Sequence, residues 1–475
     1  MDYITSFDIR LEKDVYYAGE PVLGCVVLEN SEPIKIRGIK VFLRGRSRVQ
    51  WKVLKSGESR VLKDDQYLLD EKILVWGKEK SEECNPDDSP MQILPRGMHQ
   101  FNFTFQLPQS QFPCSLETKT GTNRYYVKVI IDIPFASSPQ GIKYFTFVGP
   151  HIDCMEEKYL TALSGQDHKV QWFKCCQRGM IALRIILERQ AYCCGENLKL
   201  RAHIENRQEF TICLCIRLFQ HIEYRIERPS GSEVKSAMST VLEYRSPKVA
   251  ENTQAKFDSS NHTDDQHHPI KIPVVPPTMI GVCRLIQIYY ILKVCIEDER
   301  KNETLEMEFP IIIATIPYRS TQSPFYSVGY DFCVDYVESG KYISPEFRLG
   351  HVYDGGDSGE GGEDNEEDDV ILYRPVYVKV VDKPQKNVGK IAKEIMESRL
   401  SVDSPSLFNM ATDQQLNNKN NSANSLNLAA SATNVGHSIS QESLLSANTP
   451  YSNTDVRNNN DEAASKLLTH TAKIA

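Results

Sequence analysis

Residues 9–30 read IRLEKDVYYAGEPVLGCVVLEN, and residues 185–206 read IILERQAYCCGENLKLRAHIEN. The offset is 185 − 9 = 176 residues, and eight aligned positions are identical: Ile9/Ile185, Leu11/Leu187, Glu12/Glu188, Tyr16/Tyr192, Gly19/Gly195, Glu20/Glu196, Glu29/Glu205 and Asn30/Asn206. Lys13 against Arg189 keeps the charge. Both copies set a Gly-Glu pair between two strand-like runs, the pattern of a hairpin whose tight connection favours a residue without a Cβ. Self-similarity at this spacing points to a duplicated domain, because solenoid repeats recur every 20–50 residues or so.

Along the chain, alternation with a period of two dominates. Phe7, Ile9 and Leu11 share one face of a run, as do Phe101, Phe103, Phe105 and Leu107. Tyr125, Val127, Val129, Ile131 and Ile133 do so in another, and Ile212, Leu214, Ile216 and Leu218 in the second half. Half-buried antiparallel strands read this way, with one face on a core and the other towards water. Long amphipathic helical patterns are scarce before residue 385. The expected fold class is all-β, with two tandem β-sandwich domains. Residues 1–149 form the first, 150–175 a linker, 176–318 the second, and 319–475 a disordered tail. Polar stretches at 78–95 and 246–269 are expected to be surface loops. The tail carries an acidic tract at 354–369, then a span of Asn, Ser, Ala and Thr that buries too little apolar area to offset its chain entropy. Two segments in it, 388–400 and 461–474, read as short helices.

The chain has 475 residues and a formal charge of −8. The acidic tract holds nine acids and no base, so the remainder sums to −8 + 9 = +1. A near-neutral folded part argues against a nucleic-acid binder. No run reaches the roughly 18 apolar residues of a membrane span, and the first residues lack a signal-peptide pattern. Thirteen cysteines is an odd number in a chain too long to need stapling, which favours the reducing cytosol.

The opening run 7–30 is similar to the first hairpin of the arrestin N-domain in the α-arrestins, the arrestin-domain-containing proteins. Lys40-Val41-Phe42-Leu43-Arg44-Gly45, Val49-Gln50-Trp51 and Arg124-Tyr125-Tyr126-Val127-Lys128 match further strands. Leu94-Pro95-Arg96-Gly97-Met98-His99-Gln100-Phe101-Asn102-Phe103 resembles the family signature Leu-Pro-x-Gly-x-His-x-Phe-x-Phe. Ile272-Pro273-Val274-Val275-Pro276-Pro277 and the run 310–317 (PIIIATIP) look like segments of the C-domain. The match covers about two thirds of the chain. It implies two arrestin sandwiches, no active site and no cofactor. It also implies a cytoplasmic adaptor that recognises membrane receptors or transporters as cargo, recruited to the plasma membrane or endosomes by peripheral association. Many α-arrestins also recruit HECT-type WW-domain ubiquitin ligases through Pro-Pro-x-Tyr motifs. This tail has none; its nearest element, Arg374-Pro375-Val376-Tyr377, lacks the first proline, which weakens docking to a groove that reads consecutive prolines. A stable coat subunit like the arrestin-shaped component of retromer is the alternative.

Arg44, Arg46, Arg48 and Lys52, with Lys40, fall on even positions of the run 39–54, opposite Ile39, Val41, Leu43, Val49 and Trp51. Such a row of guanidinium groups suits a phosphorylated or acidic cargo segment, or anionic lipid. It equally suits a solvated strand face paired with acids on neighbouring strands. The doublets Cys175-Cys176 and Cys193-Cys194 lack the Cys-x₂₋₄-Cys spacing of metal knuckles, and neighbours in an extended chain point apart, so no metal site is expected. Acylation of Cys175 or Cys176 is a secondary option. His262, His267 and His268, with Asp264 and Asp265, lie in a polar loop that would fix ligand geometry poorly. Ser246, Ser323 and Ser404 precede prolines, as kinase sites often do. No nucleophile elbow, Walker loop, dinucleotide fingerprint or His-Glu-x-x-His element occurs, so catalysis is not expected.

Overall fold

The computed structural model describes residues 3–381 apart from 56, 78–91, 135–137, 174–175, 230, 260–268, 320–326, 334–340, 343–369 and 372–373. In the first half the strands are β1 (Ile4–Leu11), β2 (Val15–Tyr17), β3 (Pro21–Asn30), β4 (Ile34–Ile36), β5 (Gly38–Lys55), β6 (Glu58–Gly77), β7 (Gln92–Leu94), β8 (Gly97–Gln106), β9 (Leu116–Glu117), β10 (Gly121–Asp132) and β11 (Gln140–Val148). A single turn of helix, α1 (Glu157–Leu160), follows. The second half holds β12 (Leu163–Phe173), β13 (Cys176–Leu187), β14 (Ala191–Tyr192), β15 (Leu200–Asn206), β16 (Ile212–Arg228), β17 (Gly231–Arg245), β18 (Thr253–Asp258), β19 (Ile286–Asp298) and β20 (Glu303–Ile313). Four strands lie beyond it: β21 (Ser327–Phe332), β22 (Lys341–Tyr342), β23 (Val370–Ile371) and β24 (Val376–Val381).

Each half is a pair of facing sheets. The first has order β1-β3-β8 against β2-β11-β10-β5-β6, with β9 on β10; the second has β12-β13-β15-β18 against β14-β20-β19-β16-β17. The duplication extends to register. Ile9 pairs with Val26 and Ile185 with Ala202, residues that are again 176 apart. The expected tight hairpin is instead an excursion. Between β1 and β3 the chain crosses to the other sheet, where Val15 and Tyr16 pair in parallel with Thr146 and Phe147. Ala191 and Tyr192 do the same with Ile312 and Ile313. Gly19 and Gly195 then reverse the chain at φ +79° and +81°, a region that L side chains rarely adopt. Tyr16 and Tyr192, both fully buried, anchor the excursion between the sheets.

The identical polar residues are explained by this geometry. Glu20 Oε2 accepts from the Tyr17 amide at 3.0 Å, and Glu196 Oε2 from the Cys193 amide at 2.9 Å. Asn30 Nδ2 donates to the carbonyls of Glu32 and Pro95, and Asn206 Nδ2 to those of Phe210 and Ala250. Each buried amide thus ties the end of a strand to its neighbouring loop. In the Leu-Pro-x-Gly-x-His run, Gly97 turns at φ +139°, while the Pro95 carbonyl meets both Asn30 Nδ2 and the His99 ring.

Three boundaries differ from the sequence reading. Residues 163–173, inside the expected linker, are β12 and pair with β13. The expected loop 246–269 contains β18, an edge strand paired with β15 whose one deeply buried side chain is Phe257. The span expected as a disordered tail contains β21 and β24, which pair antiparallel from Ser327↔Val381 to Phe332↔Val376. The segments 388–400 and 461–474 lie outside the described residues.

The two cores are unequal in reach. Val41 and Leu43 of β5 fill the first core, but Val49 and Trp51 of the same strand pack into the second, joined by Leu62, Cys114 and Leu116. A strand of 18 residues therefore serves both sandwiches and fixes one against the other.

Candidate functional site: the seam closed by the C-terminal strand

Where the sandwiches meet, the chain is satisfied largely by its own polar groups. Thr118 Oγ1 and Tyr224 Oη lie 2.9 Å apart, Ser47 Oγ is 3.3 Å from Cys283 Sγ, and Arg284 Nη1 is 2.9 Å from Asp64. Into the remaining cleft comes β24. Its Val376 amide donates to Thr146 Oγ1 at 3.3 Å, and Tyr377 Oη donates to the Ser115 carbonyl at 3.2 Å, both in the first sandwich. Its Val380 amide donates to the Cys194 carbonyl at 2.8 Å, in the second. Its partner β21 adds a contact of 2.8 Å between the hydroxyls of Tyr330 and Tyr17. A cavity of about 10 Å³ remains beside Cys114, Cys194 and Tyr377, room for about one water. Burial pushes the Cys114 and Cys194 thiols up to about 12, so both stay protonated and inert. Burial likewise raises the Tyr17 phenol, and the Tyr330 hydroxyl adds to the effect.

Arg374, Pro375, Val376 and Tyr377 are thus part of the clasp. The Arg374 guanidinium lies 4.5 Å over the Phe332 ring and Nη2 donates to the Cys333 carbonyl, while Tyr377 is 4% exposed. A WW groove needs this segment extended and accessible, and in the clasped chain it is neither free nor exposed.

The cationic stripe lies elsewhere, on the outer face of β5. Arg44 Nε donates to Asp70 at 2.8 Å and Arg46 Nε to Asp65 at 3.2 Å, and Arg48 lies 3.8 Å from Asp65. Tyr67 receives Arg44 and Arg46 over its ring. Lys52 continues the row and also has an interaction of its own. Desolvation, the largest influence, opposes the charge of Arg46, but the hydrogen bond to Asp65, the Asp65 charge and the neighbouring tyrosines together outweigh it and leave the pKa raised. Acids of β6 are thus set against the row of cations.

Cys193 and Cys194 point apart, to the carbonyls of Ala314 and Val275 respectively. Cys175 and the histidine loop at 262–268 lie outside the described residues, as do Ser323 and Ser404. Ser246 Oγ accepts from the Leu214 amide and donates to the Pro247 carbonyl. The seam contacts Ser115, Thr146 and Tyr330 carried no signal in the sequence, since their partners lie 230 or more residues away.

The paired sandwiches, the crossing excursion and the shared register define an arrestin-type protein. Family models for the arrestin N-terminal domain and arrestin C-terminal domain match residues 5–153 and 177–318. The chain belongs to the arrestin family, in its arrestin-domain-containing branch, the α-arrestins. Among its relatives, arrestin domain-containing protein 17 of Caenorhabditis elegans is 27% identical over 321 residues, 65% of this chain and 69% of the relative. Human arrestin domain-containing protein 4 is 27% identical over 332 residues, 68% and 73% of the two chains. Human thioredoxin-interacting protein is 20% identical over 318 residues, 66% and 75%.

Proposed function

We propose that the protein is a non-catalytic cytoplasmic adaptor that holds membrane receptors or transporters as cargo and links them to endocytic and sorting machinery. The family supports an adaptor role in general. The observation that carries the specific reading is the clasp, a strand of six residues bonded to both sandwiches at once. An adaptor has to engage partners conditionally, and a short strand held by a few backbone hydrogen bonds is a part that an incoming extended segment can replace.

Cargo engagement at Arg44, Arg46, Arg48 and Lys52 requires an acidic or phosphorylated segment to displace Asp65 and Asp70. A phosphate competes well because it takes charge-assisted, bidentate bonds from the same guanidinium groups. Recruitment of a HECT-type WW-domain ligase through Arg374–Tyr377 belongs to a state in which β24 has left the seam.

Proximity labelling in living cells, comparing the full chain with one ending at Pro317, tests the reading. Membrane proteins should remain in both labelled sets and sorting components should disappear with the tail. A single stoichiometric complex, the same for both chains, would point to a coat subunit instead. Charge reversal at Arg44, Arg46 and Arg48 should lower cargo labelling; unchanged labelling would remove the stripe from the proposal.

A further inference from the structure

On the outer face of the second sandwich, far from the seam, three cysteines and a glutamate occupy the corners of one cross-strand block. β16 pairs with β19 so that Cys215 faces Cys295 and Cys213 faces Glu297. Leu214, Ile216, Val294 and Ile296 point into the core, so these four residues share the opposite face. Cys215, Cys295 and Glu297 are nonetheless buried, and Cys213 is half-buried at the rim. The sulfurs of Cys215 and Cys295 and a Glu297 carboxylate oxygen lie within 4.8 Å of one another. We propose that Cys215, Cys295 and Glu297, completed by Cys213, bind a thiophilic divalent cation of the zinc type.

The chemistry of the ligands supports this. Thiolates bound to one zinc at about 2.3 Å in a tetrahedron sit roughly 3.8 Å apart, so Cys215, Cys295 and Glu297 need to close by at most about 1 Å, and Cys213, which stands outside that group, has to swing towards it. Glu297 has a free lone pair for the purpose. Its Oε1 is held by Arg217 Nη2, while Oε2 accepts no hydrogen bond and has Arg245 Nη1 3.3 Å away. Arg217 Nη1 also lies 3.8 Å from Cys295 Sγ. In a metal site such donors are outer partners that orient a thiolate and a carboxylate. The surrounding charge permits it: Arg217, Arg245 and Lys293 contribute +3, and Glu243, Glu297, Glu303 and Glu306 contribute −4, before any thiol ionises. Binding releases each coordinating thiol's proton to solvent and involves no change of oxidation state. The sequence reading expected no metal because it looked for ligands close in the chain, and here the two facing thiols are 295 − 215 = 80 residues apart.

The test is a titration of the reduced, chelator-treated full chain with Co²⁺ as spectroscopic probe, then with Zn²⁺. One equivalent of Co²⁺ should give a thiolate-to-cobalt charge-transfer band and tetrahedral d–d absorption, both removed by one equivalent of Zn²⁺. C215S and C295S should each lose the bands, C213S should weaken the charge-transfer band, and C193S should leave the spectrum unchanged. A readout on the unaltered protein guards against variants that fail to fold. One equivalent of Zn²⁺ should slow alkylation of Cys213, Cys215 and Cys295 in mild denaturant, mapped by peptide mass. The proposal is overturned by a chain without a saturable cobalt spectrum, by bands that persist in folded C215S and C295S, or by protection at other cysteines. A Cys215–Cys295 disulfide in place of metal uptake overturns it too.

Discussion

Glu20 and Glu196 occupy the same place in the two copies of the repeat, yet burial gives them different weight. Glu20 pairs with Lys13, half-exposed, at 3.2 Å; Glu196 pairs with Arg189 at 3.0 Å, and both side chains are 6% exposed. The Arg189 guanidinium also stacks between the rings of Tyr192 and Tyr318. Removing Glu196 leaves a buried cation without its carboxylate and the Cys193 and Tyr318 amides without their acceptor, so Glu196→Ala should cost about 3–5 kcal/mol. Glu20→Ala should cost about 1 kcal/mol, the value of one net hydrogen bond plus a weak surface pair. Urea unfolding of the two variants measures the difference. The equivalence of these residues was legible in the sequence, because the backbone geometry they serve is duplicated. Their unequal burial was not, since it depends on Tyr318 and the linker, which have no counterpart beside Glu20.

Among the elements, β24 is the instructive case. Val376, Tyr377, Val378, Val380 and Val381 form a strand-like run, but its neighbourhood is acidic and polar, and composition over a long window hides six residues. Pairing with β21 and burial in a cleft formed by both sandwiches decide its conformation, and neither is a local property. β18 escaped for the converse reason: an edge strand that buries mainly Phe257 reads as a loop. Tyr377→Ala empties a buried site and should release the strand, detected as new protease cleavage within 374–381, at a stability cost of about 3–5 kcal/mol, as for other large aromatic truncations. Gly195→Ala should act in the same direction from a residue outside β24, by pushing against it. Its φ is +81°, and an added Cβ would stand 2.6 Å from the Val380 carbonyl oxygen. The linker supplies a pH-dependent contact. Asp153 is partly desolvated, which alone would raise its pKa, but its bonds to Arg319 and the Met155 amide leave it lowered. A carboxylate depressed in the folded state stabilises fully above its unfolded pKa of about 3.9 and loses that contribution as pH falls through the folded value. The protection of amides 152–156 relative to their intrinsic exchange rates should therefore fall in acid in the parent protein and depend less on pH in Asp153→Asn.

For the molecule as a whole, the two halves and their β class were readable because core alternation repeats in every long strand, whereas their mutual packing was not. Trp51 sits on a strand of the first sandwich and in the core of the second, so Trp51→Ala should cost about 3–5 kcal/mol and split a single thermal transition into two. The central claim is that residues 376–381 clasp the two sandwiches along their seam. Hydrogen exchange of the full chain tests it most directly. The amides of Val376 and Val380 should exchange slowly, and ending the chain at Pro317 should speed exchange at 114–116, 146–148 and 193–195 while leaving the paired amides of β5, β10, β16 and β19 unchanged. Rapid exchange at 376–381 in the intact chain, or seam amides indifferent to its removal, would contradict the account.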